Sequence, residues 1–448
     1  MSLRAPLFAV LLLASSNAFA TPGEPPPTDN PTPNPASRSA LPSGPDLSPS
    51  PVPDAKAKKP WRGFRFASDD EANTLRIGGQ LQADSLSFPG DEAQILNDEV
   101  RLRRARLQLR ATTARFYDFR LLLDFADARV QILDALFEST FIDELHLRIG
   151  KDKSPVSFDR LQSSTALHFL ERTATAGLVT NRDLGLQLAG KISKGLLDYQ
   201  LGLWDGTPDG ASAEQNVGDT FDFAGRLTFQ PFLHAELPAL KNLQVGVSGS
   251  YGKDKGTATA TQLASYRSSA RATWFRYVTG ADLASTAIAD GERVRLGAHL
   301  YWQYGPVHVF GEVIKSSQEV TLAGRTEAIG VLGYTSQASV VLTGEDASWN
   351  GLTPDRVFNP ETGGWGALEL AVRWGQIAID DLAFDAGFAD LSRSARGLST
   401  LTFGLNWYLD RQVKLQANLE LTSFDGGAPA DADRDTETLL GFRGQFLF

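Results

Sequence analysis

The sequence predicts an all-β fold, a transmembrane antiparallel β-barrel of about 16 strands with one connection folded inward as a constriction. Three observations carry that prediction: a secretory leader, short segments that alternate apolar and polar residues, and a last strand that ends on an aromatic residue, Phe448.

The leader comes first. Met-Ser-Leu-Arg precedes an apolar stretch from Ala5 to Leu13, then Ser15, Ser16, Asn17 and the triplet Ala18-Phe19-Ala20. A basic start, a short apolar centre and small residues at the cut describe a signal peptide over residues 1–20. A membrane anchor needs about 20 apolar residues, roughly twice this run. Downstream, no stretch is apolar for long enough to span a membrane as a helix. The chain holds no cysteine, which fits an exported protein that does not rely on disulfides.

Residues 21–60 are crowded with proline, from Pro25-Pro26-Pro27 to Pro49, Pro51 and Pro53. Such a segment cannot bury a core, so it reads as a disordered periplasmic tether. A spacer is the plain reading; a cell-wall contact through Lys56, Lys58 and Lys59 is the sharper one. From Trp61 to Phe448 the texture changes to alternating segments split by Gly, Asp, Asn and Pro, which marks 61–448 as the barrel domain. The net charge of −10 does not by itself suggest nucleic acid or anions as partners, so the direction in which basic residues point matters more than their sum.

At the carboxy end Leu440, Phe442, Gly444, Phe446 and Phe448 alternate with Gly441, Arg443, Gln445 and Leu447. The same period of two runs through Leu401 to Leu409, Val413 to Leu421, Phe221 to Gln230 and Arg293 to Trp302. Strands that are apolar on one face and polar on the other suit a membrane barrel with a wet interior. A soluble sandwich would carry the same alternation with its polar face outward. The leader, the terminal Phe and aromatics near strand ends (Trp204, Trp302, Trp407, Tyr408) favour the barrel and outer-membrane lipid around it. With one face in lipid the sheet must close on itself.

The strand Val100 to Ala111 is the most informative for function. Val100 and Leu102 are apolar at even positions, Ala105, Leu107 and Leu109 at odd ones, so the phase slips at Arg103-Arg104. A β-bulge there aims both guanidiniums into the pore. Arg101, Arg106 and Arg110 share that face, and Arg120, Arg148, Arg226, Arg267, Arg271, Arg293, Arg295 and Arg373 take the lumen phase of their strands. Arg443 reads as an isolated charge. Guanidinium forks bind oxyanions through paired hydrogen bonds and stay charged. The bland alternative is a general diffusion pore that tolerates lumen charge.

One connection, Lys151 to Asp183, lies between a strand at Phe141 to Ile149 and another at Leu184 to Ile192. At about 33 residues it is longer than a structureless loop usually is. Folding into the pore gives it a role; a surface loop is the alternative.

Several stretches resemble the phosphate-selective porin O/P family from about Arg76 onward. They are Arg76-Ile77-Gly78-Gly79-Gln80-Leu81, Arg103-Arg104-Ala105-Arg106, Gly150-Lys151 leading into Leu161-Gln162-Ser163-Ser164, and Phe169-Leu170-Glu171-Arg172. Later come Gln337-Ala338-Ser339 with Leu342-Thr343-Gly344-Glu345, Gly366-Ala367-Leu368-Glu369-Leu370 and Gly404-Leu405-Asn406-Trp407-Tyr408-Leu409. The resemblance implies a homotrimer of barrels and a constriction loop between the fifth and sixth strands that holds the anion site. Carried over by residue, that site is Arg103, Arg104, Ser163, Ser164 and Arg172, with Arg160 at the position of the family's loop lysine and Asp134 or Asp124 as its acidic member. The family's basic ladder of the outer vestibule has no aligned counterpart between Gly252 and Asp290. The implied function is passive diffusion of phosphate or other small anions, with no cofactor and no metal.

Two other functional classes stand against the pore. An outer-membrane enzyme needs a nucleophile or metal site, and the five histidines (His146, His168, His234, His299, His308) stand in no G-x-S-x-G or H-E-x-x-H spacing. A structural envelope barrel would rest on the tether alone.

Overall fold

The computed structural model describes residues 63–90, 96–126, 128–212 and 220–448. The signal peptide, the tether and its expected cell-wall contact lie outside these residues.

A short strand β1 (Phe64–Ala67) precedes β2 (Thr74–Ser87), β3 (Glu99–Thr113), β4 (Tyr117–Asp124), β5 (Gln131–Ile142), β6 (Leu145–Asp152), β7 (Asp183–Ile192), β8 (Leu197–Trp204), β9 (Asp222–Phe229) and β10 (Gln244–Lys255). Two small strands, β11 (Tyr266–Arg267) and β12 (Thr273–Phe275), pair only with each other inside a loop. Then follow β13 (Ile288–Tyr304), β14 (Val307–Leu322), β15 (Arg325–Val341), β16 (Ala367–Ile379), β17 (Ala395–Tyr408), β18 (Val413–Gly426) and β19 (Glu437–Leu447).

From β2 round to β19, sixteen antiparallel strands form a closed barrel. β19 closes it on β2, from Leu440 opposite Ser87 to Leu447 opposite Gln80. Closure leaves no row of unpaired N–H and C=O groups facing lipid. Phe448 finishes the seam by exchanging main-chain hydrogen bonds with Gly79 at 3.0 and 3.1 Å. A Cβ on Gly79 would lie 2.4 Å from the Phe448 ring, so the terminal aromatic needs glycine there. Beyond that point β1 takes over the same lane, with Phe64 opposite Ile77.

The two faces separate as the alternation requires. Outside, Leu186, Leu201, Phe223, Leu296, Phe403, Leu415 and Phe442 are exposed to the lipid side. Inside, Asp222, Arg226, Arg293, Arg295, Thr402, Asn406, Lys414, Gln416 and Arg443 are buried. In β3 the register steps from Gln82 opposite Arg104 to Ala83 opposite Leu102. Arg103 is the bulged residue.

Several expectations need correction. Phe141 to Ile149 is not one strand: β5 ends at Ile142 and β6 starts at Leu145, because the reversal at Asp143-Glu144 takes only two residues. Trp204 and Tyr408 do not belong to an outer aromatic belt; they are buried at 3% and 4% exposure, their phase being inward. Trp302 and Trp407 do sit on the outer side, donating Nε1 to Ala239 O and Trp365 O, each at 2.7 Å. Arg267 and Arg271 are exposed residues of the loop between β10 and β13 and line no wall strand.

That loop, residues 256–287, folds inward. Tyr266, Trp274, Phe275 and Tyr277 pack against Leu178 and Val179 of the β6–β7 loop and against Ile314, Ile329 and Ile377 of the wall. A fully buried side chain of this size contributes about 1.5–3 kcal/mol relative to exposure. Apolar burial therefore holds this insertion, in the segment where the family's basic ladder has no aligned counterpart.

Candidate functional site

The β6–β7 loop, residues 153–182, crosses the barrel interior as expected of a constriction. Its fixings explain many of the inward polar residues. At its start Ser157 Oγ donates to Glu312 Oε2 at 2.8 Å and Phe158 N donates to Glu312 Oε1 at 2.5 Å. These bonds hold a one-turn helix, α1 (Phe158–Leu161), whose Phe158 ring lies on His299 and Trp349 at centroid distances of 4.4 and 4.7 Å. Further on, a 3₁₀ turn (Ala174–Leu178) presses on the wall. Gly333 makes room for it, since a Cβ there would sit 2.7 Å from Leu178 Cδ1.

Between these points the loop runs in turns and bends, and wall side chains collect its carbonyls. Gln445 Nε2 donates to Thr165 O at 3.1 Å, Lys414 Nζ to Leu167 O at 2.9 Å and Asn406 Nδ2 to His168 O at 2.9 Å. Arg443 Nη1 reaches Leu170 O at 2.5 Å, and Arg373 Nη1 reaches Glu171 O at 2.8 Å. A buried carbonyl without a donor is costly, so these residues position the loop before any of them can act on a permeant ion.

The loop also lowers a carboxylate into the arginines. Arg103 grips Glu171 with Nε on Oε1 at 2.5 Å and Nη2 on Oε2 at 3.0 Å. Arg104 Nη2 and Arg443 Nη2 approach the same carboxylate, each at 3.4 Å. Arg443 is also forked onto Asp84 at 2.6 and 2.8 Å, and Arg101 bonds Glu99 at 2.6 Å. Burial alone would raise the Glu171 carboxyl, but Arg103, Arg104 and Arg443 outweigh it and hold it well below the ordinary range. Arg443, read from sequence as isolated, belongs to this cluster.

The expected site residues divide into groups. Arg103 and Arg104 meet, as the bulge predicted. Ser164 joins their neighbourhood, its Oγ accepting from Arg106 Nη1 at 2.9 Å while Arg106 Nε holds Asp124 at 2.7 Å. Ser163 is turned to Thr165, 2.8 Å away. Arg160 bonds Asn181 Oδ1 at 3.2 Å and Ala176 O, and Arg172 bonds Asp159 O at 2.5 Å and Gln162 O. Both guanidiniums thus brace the loop itself. Asp134 accepts from Arg182 Nε at 2.8 Å with Arg120 3.5 Å away, so of the two acidic candidates it is Asp124 that touches the residues around Ser164.

Sequence reasoning missed Glu171, Lys153 and Arg182. Lys153 Nζ donates to Leu161 O and Gln162 O at 3.1 and 2.8 Å, and burial, then Arg172 and Arg182, pull it well below the ordinary lysine range. Its signal was the Lys151-Asp152-Lys153 run next to Gly150. The inward arginines are also compensated more than the alternation suggests: Arg120 with Asp152, Arg148 with Glu138, Arg293 with Asp222 and Arg373 with Glu420 are further pairs.

Donor atoms of His168, His308 and Glu369 lie within 4.8 Å of one another. Glu369 already accepts from His168 and Ser339 on Oε1 and from Asn406 and Tyr408 on Oε2, at 2.6 to 3.0 Å. The cluster ties the loop to the wall with its carboxylate fully engaged.

A family model described as phosphate-selective porin O and P matches residues 75–448. Porin O of Pseudomonas aeruginosa is 24% identical over 388 residues, covering 79% of this chain and 84% of its own length. Among solved structures, the outer membrane channel DcaP of Acinetobacter baumannii superposes with a TM-score of 0.54 at 11% identity, over 87% of this chain and 100% of that one. An anion-selective porin from Comamonas acidovorans gives 0.53 at 11% identity over 84% and 100%. OmpT of Vibrio cholerae in a trimer form gives 0.51 at 10% identity over 84% and 100%. At such identities the structural likeness shows the fold alone.

Proposed function

Since the chain belongs to the phosphate-selective porin O and P family, we propose that it is a passive outer-membrane channel for small anions, with a preference for phosphate or other oxyanions. The observation that carries the preference is the convergence, among the described residues, of four guanidiniums, Arg101, Arg103, Arg104 and Arg443, on Asp84, Glu99 and Glu171 beside the constriction loop. Excess guanidinium at one narrow level raises the local anion concentration, whatever the charge of the whole chain. Partial compensation serves conduction, because a pore must bind weakly enough to release. In this reading Arg103, Arg104 and Ser164 meet the ion, Arg160 and Arg172 shape the loop that presents them, and Ser163 and Asp134 stand farther out.

The protein works as a non-catalytic channel and assembles as a homotrimer, a reading supported by the family and by the trimer form of a structural neighbour. The test is planar-bilayer recording of chloride current with phosphate added. Millimolar phosphate reduces the current if the cluster binds oxyanions; a current indifferent to phosphate leaves a general diffusion porin.

A further inference from the structure

We propose that Glu171 is a tethered counter-anion: its carboxylate occupies the oxyanion position between Arg103, Arg104 and Arg443, and a dianionic oxyanion binds by displacing it. This rests on the anion-channel reading and adds the way in which the pore tells oxyanions from chloride.

The geometry resembles a ligand complex more than a surface ion pair. Arg103 supplies a fork to both oxygens, and two further guanidiniums close on the same group at 3.4 Å. A planar guanidinium gripping two oxygens is the arrangement by which arginine recognises carboxylate and phosphate alike. Among the described residues the Arg104 Nε–H is buried without a hydrogen-bond partner, in a residue that is only 5% exposed. One donor of the cage is thus left unspent by a ligand with two oxygens. A tetrahedral oxyanion brings more oxygens and can engage it.

Charge points the same way. Among the described residues Glu171 answers three guanidiniums, those of Arg103, Arg104 and Arg443, so withdrawing its carboxylate adds one positive charge to the cage. A dianion that takes its place brings two negative charges against the one withdrawn. Chloride offers one charge and no pair of oxygens for the Arg103 fork, so it displaces the carboxylate poorly and passes beside it. Access exists at the right place: the Arg103 and Glu171 side chains are 23% and 18% exposed, while that of Arg443 is at 0%. The loop main chain does not need to leave, because Arg443 and Arg373 hold Leu170 O and Glu171 O independently of the side chain.

The experiment measures the phosphate concentration that halves chloride current through the purified full-length protein, for wild type, Glu171→Gln and Glu171→Asp. Removing the competing charge lowers the half-blocking concentration on the order of tenfold in Glu171→Gln. The shorter Glu171→Asp, which draws the carboxylate back from Arg104 and Arg443, shifts it the same way by less. Heat-modifiable mobility verifies assembly, and if the Gln variant does not assemble, the Asp variant decides. Block that appears only in a variant shows that phosphate does not displace the carboxylate from the wild-type site, and it overturns the proposal. Wild-type block with both variants unshifted, or blocked less readily, overturns the tethered anion and leaves the anion porin standing. If no form is blocked, both readings fall.

Discussion

Arg103 holds both carboxylate oxygens of Glu171, Nε on Oε1 at 2.5 Å and Nη2 on Oε2 at 3.0 Å, joining the bulge of β3 to the constriction loop. The bulge supplies the cation and the loop supplies the anion. Neither side alone defines the level at which an ion would bind.

Replacing Arg103 and Arg104 with Ala removes half of the clustered guanidiniums. The anion-to-cation permeability ratio, read from reversal potentials in a KCl gradient, falls by a factor on the order of ten, since focused charge acts on local ion concentration exponentially. Arg325→Ala is the comparison, because its pair with Glu327 is half exposed and screened. Equal shifts in the two variants would mean that the bulge carries no special field.

Glu312→Ala strips both bonds from the start of the loop. Loss of these two hydrogen bonds costs on the order of 1 kcal/mol each. The variant denatures at lower temperature, seen as loss of heat-modifiable mobility, and chloride conductance rises with more current noise. A quiet, unchanged channel would show that the apolar contacts of Phe158 suffice.

Gly333→Leu puts a side chain where Leu178 Cδ1 leaves 2.7 Å. Overpacking of this kind costs about 1–3 kcal/mol. The 3₁₀ turn shifts, and open-channel conductance changes while the barrel still assembles. Unaltered conductance would locate the narrowest point elsewhere.

The Glu171 carboxyl is held below its ordinary value by Arg103, Arg104 and Arg443 against the opposing effect of burial. A depressed folded-state value means that its contribution is complete above the ordinary carboxylate value of about 4.3 and is lost only as the pH falls through the lower one. The influence of this carboxylate on anion preference is therefore flat from about pH 8 to about pH 5. A step in the reversal potential between about pH 5 and 6 that Glu171→Gln abolishes would contradict the caged environment.

How much of this was legible depended on what each face touches. Lipid forces the outer residues to be apolar, so Leu401, Phe403, Phe442 and the closing strand could be read from alternation, and the phase slip at Arg103-Arg104 announced a bulge. The inner face gave no such certainty. Lys414, Gln416 and Arg443 have the same spacing whether they meet water or loop carbonyls, and here they meet Leu167 O and Leu170 O. Arg267 and Arg271 were placed by phase in a segment that turned out to be an inserted loop. Glu171 stood in the matched stretch Phe169-Leu170-Glu171-Arg172, but a carboxylate among arginines becomes visible only when the loop folds back across the barrel. Arg172 drew the attention there and spends its guanidinium on Asp159 O and Gln162 O.

The sign of the reversal potential of the wild-type protein across a KCl gradient decides whether the guanidiniums of Arg101, Arg103, Arg104 and Arg443 make the proposed channel anion-selective, because most inward arginines have acidic neighbours. A potential on the chloride side, reduced when phosphate replaces part of the chloride, is the predicted result. A potential on the potassium side, unmoved by phosphate, would contradict the account.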